Sequence, residues 1–230
     1  ATASQLPPAS SLPSLRSAVT PTISVRRATP ADVDALAQLC TDAFYGTHTF
    51  LDGPIIFAQR EAILARVRSQ VRRRISLDVD REAQLLVATA PKNRGRVVGC
   101  IDLAVHIFDR RERRFVLTRD ELPPGGGYCW KPYVASVAVA PGYRRRGIAR
   151  LLVGRAERLA LGWGYHDICL EVSATNVGAI SLYQQAGYRI VGSGAGGVHL
   201  TEIEVVAGFW WRELSDIPKY VLRKRFRWVL

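Results

Sequence analysis

Residues 133–149 read YVASVAVAPGYRRRGIA, and the order of textures in this stretch decides the fold. The run 133–139 is apolar and of strand length. Pro141, Gly142 and Tyr143 form a turn. Arg144, Arg145, Arg146, Gly147, Ile148 and Ala149 then lead into a helix over 148–161, with Ile148, Leu151, Leu152, Ala156 and Leu159 on one face. Gly162 and Gly164 end that helix. A strand that enters a helix through a glycine leaves backbone N–H groups unpaired at the positive end of the helix dipole. An anion docks at such a corner, a pyrophosphate being the usual guest. Arg144, Arg145, Arg146 and Arg150 supply counter-charge, and Gly147 spares the Cβ that would hold a phosphate off the backbone. A basic turn alone is also what a solvated turn looks like. The order strand, turn, glycine, amphipathic helix is what gives the motif weight.

A second motif, NVGAISLYQQAGY over 176–188, begins 29 positions after Gly147. It follows a strand over 167–172 (DICLEV) and forms a short helix over 176–186 that Gly187 ends. Asn176 has the character of an N-cap. Tyr183 fits equally the half-buried tyrosine of an amphipathic helix.

Together the two motifs resemble the GNAT superfamily of N-acetyltransferases. The family's Gln/Arg-x-x-Gly-x-Gly/Ala reads RRRGIA here, with Ala149 in place of the commoner glycine. Its N-x-x-A-x-x-L-Y-x-x-x-G-F/Y matches 176–188. The resemblance is tight over 134–188 and covers 23–226 in outline. It implies an α/β (α+β) GNAT fold, a mixed and mostly antiparallel twisted sheet flanked by helices. It also implies acetyl-CoA as cosubstrate and no metal. Val137, Ala138 and Val139 would line the donor, Val137 and Val139 offering backbone groups to the pantetheine arm. The corner 144–150 would take the diphosphate, and Asn176, Val177, Gly178 and Tyr183 would complete the donor site.

By the same resemblance Val139 or a neighbour polarises the acetyl carbonyl, and Tyr183 donates a proton to the coenzyme A sulfur. A phenol suits that role, since an unperturbed pKa of about 10 keeps it protonated at neutral pH. Glu171 sits in an L-E-V-x-A-x-N context (170–176) similar to that of bacterial ribosomal-protein N-terminal acetyltransferases. It would accept the amine proton directly or through water, or fix the acceptor by hydrogen bonding. Transfer is expected to be direct, in a ternary complex without an acetyl-enzyme.

The acceptor expected is a protein N-terminal amine, with lysine side chains second. The balance of 32 Lys and Arg against 20 Asp and Glu gives a net charge of +12. Such a field attracts polyanions, a ribosome or RNA among them, or serves only solubility. It disfavours a small cationic amine as substrate. The rival reading keeps the fold as a binding module for RNA or ribonucleoprotein. Arg223, Lys224, Arg225, Phe226, Arg227 and Trp228, basic with interleaved aromatics, are its best support. The four cysteines and four histidines are scattered, so neither a disulfide framework nor a metal centre is expected. No apolar stretch reaches the roughly 20 residues of a membrane span.

The first 31 residues contain no Asp or Glu. Residues 1–22 read as a disordered leader, the remnant of a transit peptide. That points to the chloroplast (plastid stroma), with the mitochondrion as alternative. Residues 23–230 form a single domain in this reading. Its further elements are a strand at 23–28, a helix capped by Thr29 with Val33, Leu36, Leu39 and Cys40 on one face, and a helix over 55–71. A hairpin of 84–88 and 96–105 follows. An inserted loop around 106–132 is placed near the acceptor. A last strand over 220–226 closes the sheet.

Overall fold

The computed structural model describes residues 23–46, 53–76, 82–91, 95–111, 114–116, 126–194 and 219–226. The expected leader lies outside them. β1 (Ser24–Arg27) leads through a 3-10 turn (Pro30–Asp32) into α1 (Val33–Tyr45) and α2 (Pro54–Ser76). The turn is held by the Asp32 carboxylate. It accepts from the Thr29 N–H and hydroxyl, each at 2.8 Å, and from both ends of the Arg26 guanidinium at 2.7 and 2.8 Å. Then come β2 (Ala83–Ala90), β3 (Arg96–Asp109), β4 (Arg114–Val116), β5 (Tyr128–Val139), α3 (Ile148–Gly162), β6 (Asp167–Ser173), α4 (Val177–Gln185), β7 (Arg189–Gly194) and β8 (Lys219–Arg225).

Seven strands lie in the order β1-β2-β3-β5-β6-β8-β7, and β4 adds to β3 where β2 has ended. Every pairing is antiparallel except β5 with β6. This is the mixed, mostly antiparallel sheet that the motifs imply. One face packs Leu86, Ile101, Val134 and Leu170 against Leu152 and Val153 of α3 and Tyr183 of α4. The other packs Val87, Cys100 and Ala138 against Leu36 of α1 and Leu64 and Val67 of α2.

Three expectations change. The region 106–132 is not all loop, because β3 continues to Asp109 and β5 begins at Tyr128. His106–Asp109 pairs with 128–131, and β4 places the buried Phe115 ring 4.4 Å from Tyr133 and 5.0 Å from Phe108. The charged run 109–114 hides that apolar alternation from the sequence. Residues 117–125 lie outside the described residues. Second, α2 runs past Val71. Arg74 there reaches Asp102 of β3 at 2.7 Å and the Leu103 carbonyl at 3.2 Å. Third, β8 lies between β6 and β7, so β7 forms the edge. Arg227 and Trp228 lie outside the described residues.

Gly99 of β3 brings the sheet against α3. A Cβ there would meet the Ala138 carbonyl oxygen at 3.1 Å and the Ile148 and Leu152 side chains at 3.2 Å each. Gly99→Val is therefore expected to destabilise the fold by about 1–3 kcal/mol through overpacking, measured as a lowered urea midpoint with an unchanged slope.

Candidate active site

The site is built where β5 and β6 separate. These parallel strands share only the pairs Tyr133–Cys169 and Val134–Leu170. Beyond them β5 bulges. Between its pairings of Ala135 with Asp102 and Ala138 with Cys100 it holds two residues where β3 holds one. Ser136, in the bulge, has φ 51. The Ala140 N–H donates to the Val98 carbonyl at 2.9 Å, so Ala140 and, two residues back, Ala138 turn their backbone toward β3. By the alternation of a strand, Val137 and Val139 turn theirs away, into the opening. The Val139 carbonyl duly accepts from Arg144 Nε at 3.1 Å.

At the end of β5 the chain turns through Pro141–Tyr143 into α3. Arg145 has φ 61 and Gly147 φ 77, both left-handed. A Cβ on Gly147 would meet nothing within 4 Å. The glycine is thus favoured by backbone conformation, and the space before it is open to a ligand. The Leu151 N–H bonds the Gly147 carbonyl at 3.0 Å, which leaves the N–H groups of Ile148, Ala149 and Arg150 without an intrahelical acceptor. No acidic residue lies in this first turn. Arg144, Arg145, Arg146 and Arg150 are exposed around it, with Arg146 5.5 Å over the Tyr143 ring and Arg150 3.1 Å from Gln185 Oε1. The corner fits a diphosphate, offering backbone donors, positive charge and no carboxylate in the first turn of α3.

On α4, the Asn176 side chain caps the Ala179 N–H at 3.1 Å, as its type suggests. Val177 and Gly178 are exposed beside it. Tyr183 is buried, stacked edge-on to Tyr188 at 5.7 Å, and burial pushes its hydroxyl pKa up to about 12. It belongs to the core on the α3 face. Glu171 lies on the opposite face of β6, two residues beyond Cys169, where β5 has already parted from it. Burial raises the Glu171 carboxyl to about 7, opposed by the charge of Lys219.

The residue that links the two faces is Tyr133, which sequence reasoning did not single out. Its buried hydroxyl is pushed well above the usual phenol range, first by burial, then by the charge of Glu171 and by coupling to the ionisation of Tyr183. The three groups are therefore electrostatic neighbours at the split. His106 stacks edge-on against the Tyr133 ring at 5.8 Å, and burial lowers its pKa. The signal available in the sequence was position alone, since Tyr133 opens the strand run that precedes the glycine corner. Among the described residues, no group of three His, Cys, Asp or Glu side chains could hold a metal ion. None of their helices is long and apolar enough to cross a membrane.

Comparison with known proteins agrees with this fold. The chloroplastic GCN5-related N-acetyltransferase 4 of Arabidopsis thaliana is 44% identical over 59 residues, 26% of this chain and 20% of that protein. The N-alpha-acetyltransferase MAK3 of the same plant is 37% identical over 59 residues, 26% of this chain and 31% of that protein. The aligned stretch thus spans less than a third of either relative. Among solved structures, Naa20 of Chaetomium thermophilum, in complex with a bisubstrate analogue, superposes with a TM-score of 0.55 at 24% identity. That superposition covers 88% of this chain and 86% of Naa20, a likeness of fold. The family model of the GNAT acetyltransferases matches residues 57–188, more than half the chain. The chain belongs to the acetyltransferase (GNAT) family.

Proposed function

We propose that this protein transfers the acetyl group of acetyl-CoA to α-amines at protein N-termini, by direct attack in a ternary complex. The observation that carries the reading is the place of Glu171, one residue past the last β5–β6 pair where the sheet opens, and burial there raises its carboxyl to about 7. An N-terminal ammonium, with a pKa of about 8, is matched to a base of that strength; a lysine ammonium, at about 10.4, lies about three units beyond it. Glu171 therefore deprotonates an α-amine readily and a lysine side chain poorly. Lysine acetylation is the second reading.

The remaining roles follow from position. The corner 144–150 holds the diphosphate, and Val137, Ala138, Val139, Asn176, Val177 and Gly178 line the pantetheine arm. The Val139 N–H, turned into the opening, meets the acetyl carbonyl oxygen and stabilises the negative charge that develops there. Tyr183 approaches the sulfur from the α3 face while the acceptor enters from the Glu171 face. With its hydroxyl at about 12 and a thiol near 8.5, a completed proton transfer to the leaving thiolate is uphill. Tyr183 therefore stabilises that thiolate by donating a hydrogen bond.

The likeness to a chloroplastic relative, together with the acid-poor first 31 residues, supports a plastid location. The RNA-binding reading gains less. Of its basic run, Lys224 is tied to Glu157 at 2.7 Å, within a strand paired on both sides.

Coenzyme A release tests the proposal, using peptides with a free N-terminus beside the same peptides N-terminally blocked but carrying lysine. The free α-amine is expected to be favoured at least about tenfold at pH 7.5. A preference for lysine, or no transfer to either, contradicts the assignment. On the free α-amine peptide, kcat/KM is expected to rise with pH through about 7 as Glu171 ionises, and again near 8 as the amine does. Glu171→Gln should cost about a hundredfold and keep only the upper limb, read from the pH–rate profile. An unchanged profile would show that Glu171 is not the base.

A further inference from the structure

Two cysteines that lie 60 positions apart in the chain meet behind the donor strand. Cys40 Sγ on α1 is 3.7 Å from Cys100 Sγ on β3. The Cys100 thiol also donates to the Ser136 carbonyl at 3.3 Å. Ser136 is the bulge residue with φ 51 and directly precedes Val137. One thiol thus touches both a second thiol and the strained point from which β5 opens. We propose that Cys40 and Cys100 are a reversible disulfide site whose reduced form braces the β5 bulge and whose oxidised form releases it. The consequence for donor binding rests on the acetyl-CoA reading above.

Only a short movement separates the two sulfurs. A disulfide spans about 2.05 Å, so the sulfurs must close by about 1.7 Å. Cys40 is half-buried and sits on a helix rather than in the sheet, so rotation of its side chain with a small shift of α1 supplies the movement. Cys100 is fully buried in β3 and held by pairing on both sides. Its hydrogen bond with Cys40, and then burial, keep it protonated by raising its pKa. Cys40 is therefore the sulfur that reacts first.

A low-molecular-weight disulfide such as oxidised glutathione serves as oxidant. The Cys40 thiolate attacks one of its sulfurs, that S–S bond breaks, and one thiolate leaves. Cys100 attacks the Cys40 sulfur, the mixed disulfide breaks, and the second thiolate leaves with the Cys100 proton. Two protein thiols have then lost two electrons, and the oxidant has become two thiols. The S–H that Cys100 gave to the Ser136 carbonyl is gone. That carbonyl loses its partner at the residue that sets how Val137 and Val139 face the opening. A dithiol reductant reverses each step.

The full chain is equilibrated at graded ratios of reduced to oxidised glutathione. Peptide mass spectrometry reads the linkage, and hydrogen exchange reads the amides of 136–139. The expected result is a Cys40–Cys100 peptide at oxidising ratios, with faster exchange at 136–139 and both changes undone by dithiothreitol. Coenzyme A affinity should fall about fivefold on oxidation, the equivalent of one lost neutral hydrogen bond. Cys40→Ser should show neither linkage nor a response of these amides to oxidant. The proposal is overturned if the linkage never forms, if it forms through Cys129 or Cys169 instead, or if it leaves exchange at 136–139 unaltered. Coenzyme A affinity of the reduced protein tests the donor reading separately, while linkage and exchange decide this one whatever that affinity is.

Discussion

The structure turns on a pairing that stops. β5 and β6 are the sheet's only parallel neighbours among the described residues, and they hold together for just two residue pairs. A sheet normally spends every backbone group of an interior strand on its ladder. Here β5 keeps its bonds to β3 and withholds those that would have gone to β6. The bulge at Ser136 makes this possible by breaking the register on the β3 side and swinging the end of β5. The withheld groups of Val137 and the Val139 N–H are then an edge inside the sheet, the Val139 carbonyl being taken by Arg144. An extended amide-bearing chain of the pantetheine type could pair with them as a strand would.

In the proposed reaction the split also divides the chemistry between two faces. Tyr183 belongs to the core layer under α3 and α4, and Glu171 to the layer on the other side. Tyr133, in one of the two pairs before the strands part, is pushed up by the charge of Glu171 and is coupled to the ionisation of Tyr183. Burial does the tuning. It holds a phenol protonated and leaves a carboxyl titrating near neutrality, without an array of charged partners. The corner before Ile148 is the converse case. It is exposed, and it offers a diphosphate arginines and unpaired N–H groups rather than a low dielectric.

Much of this was legible in residue order. The glycine corner and the 176–188 helix are local features, set by turn chemistry, capping and helical periodicity, and α3, β6 and α4 appear within a residue or two of their expected bounds. What could not be read is non-local. The continuation of β3 and β5 depends on their pairing with each other and on Phe115 packing against Tyr133. The interior place of β8 depends on strand order, which no window of sequence contains. Tyr133 was missed because its significance comes from Glu171 and Tyr183, 38 and 50 positions away. The two cysteines read as isolated for the same reason, since the contact between them exists only once α1 lies across β3.

The central claim is that the opening in the sheet and the corner before Ile148 form one donor site, the corner gripping a diphosphate. Calorimetry with coenzyme A, and with pantetheine, which lacks the diphosphate and nucleoside, tests it most directly. Coenzyme A is expected to bind, and pantetheine to bind about a hundredfold more weakly, for want of the charge-assisted hydrogen bonds at 144–150. No affinity for coenzyme A in the folded protein, or equal affinity for the two, would contradict it.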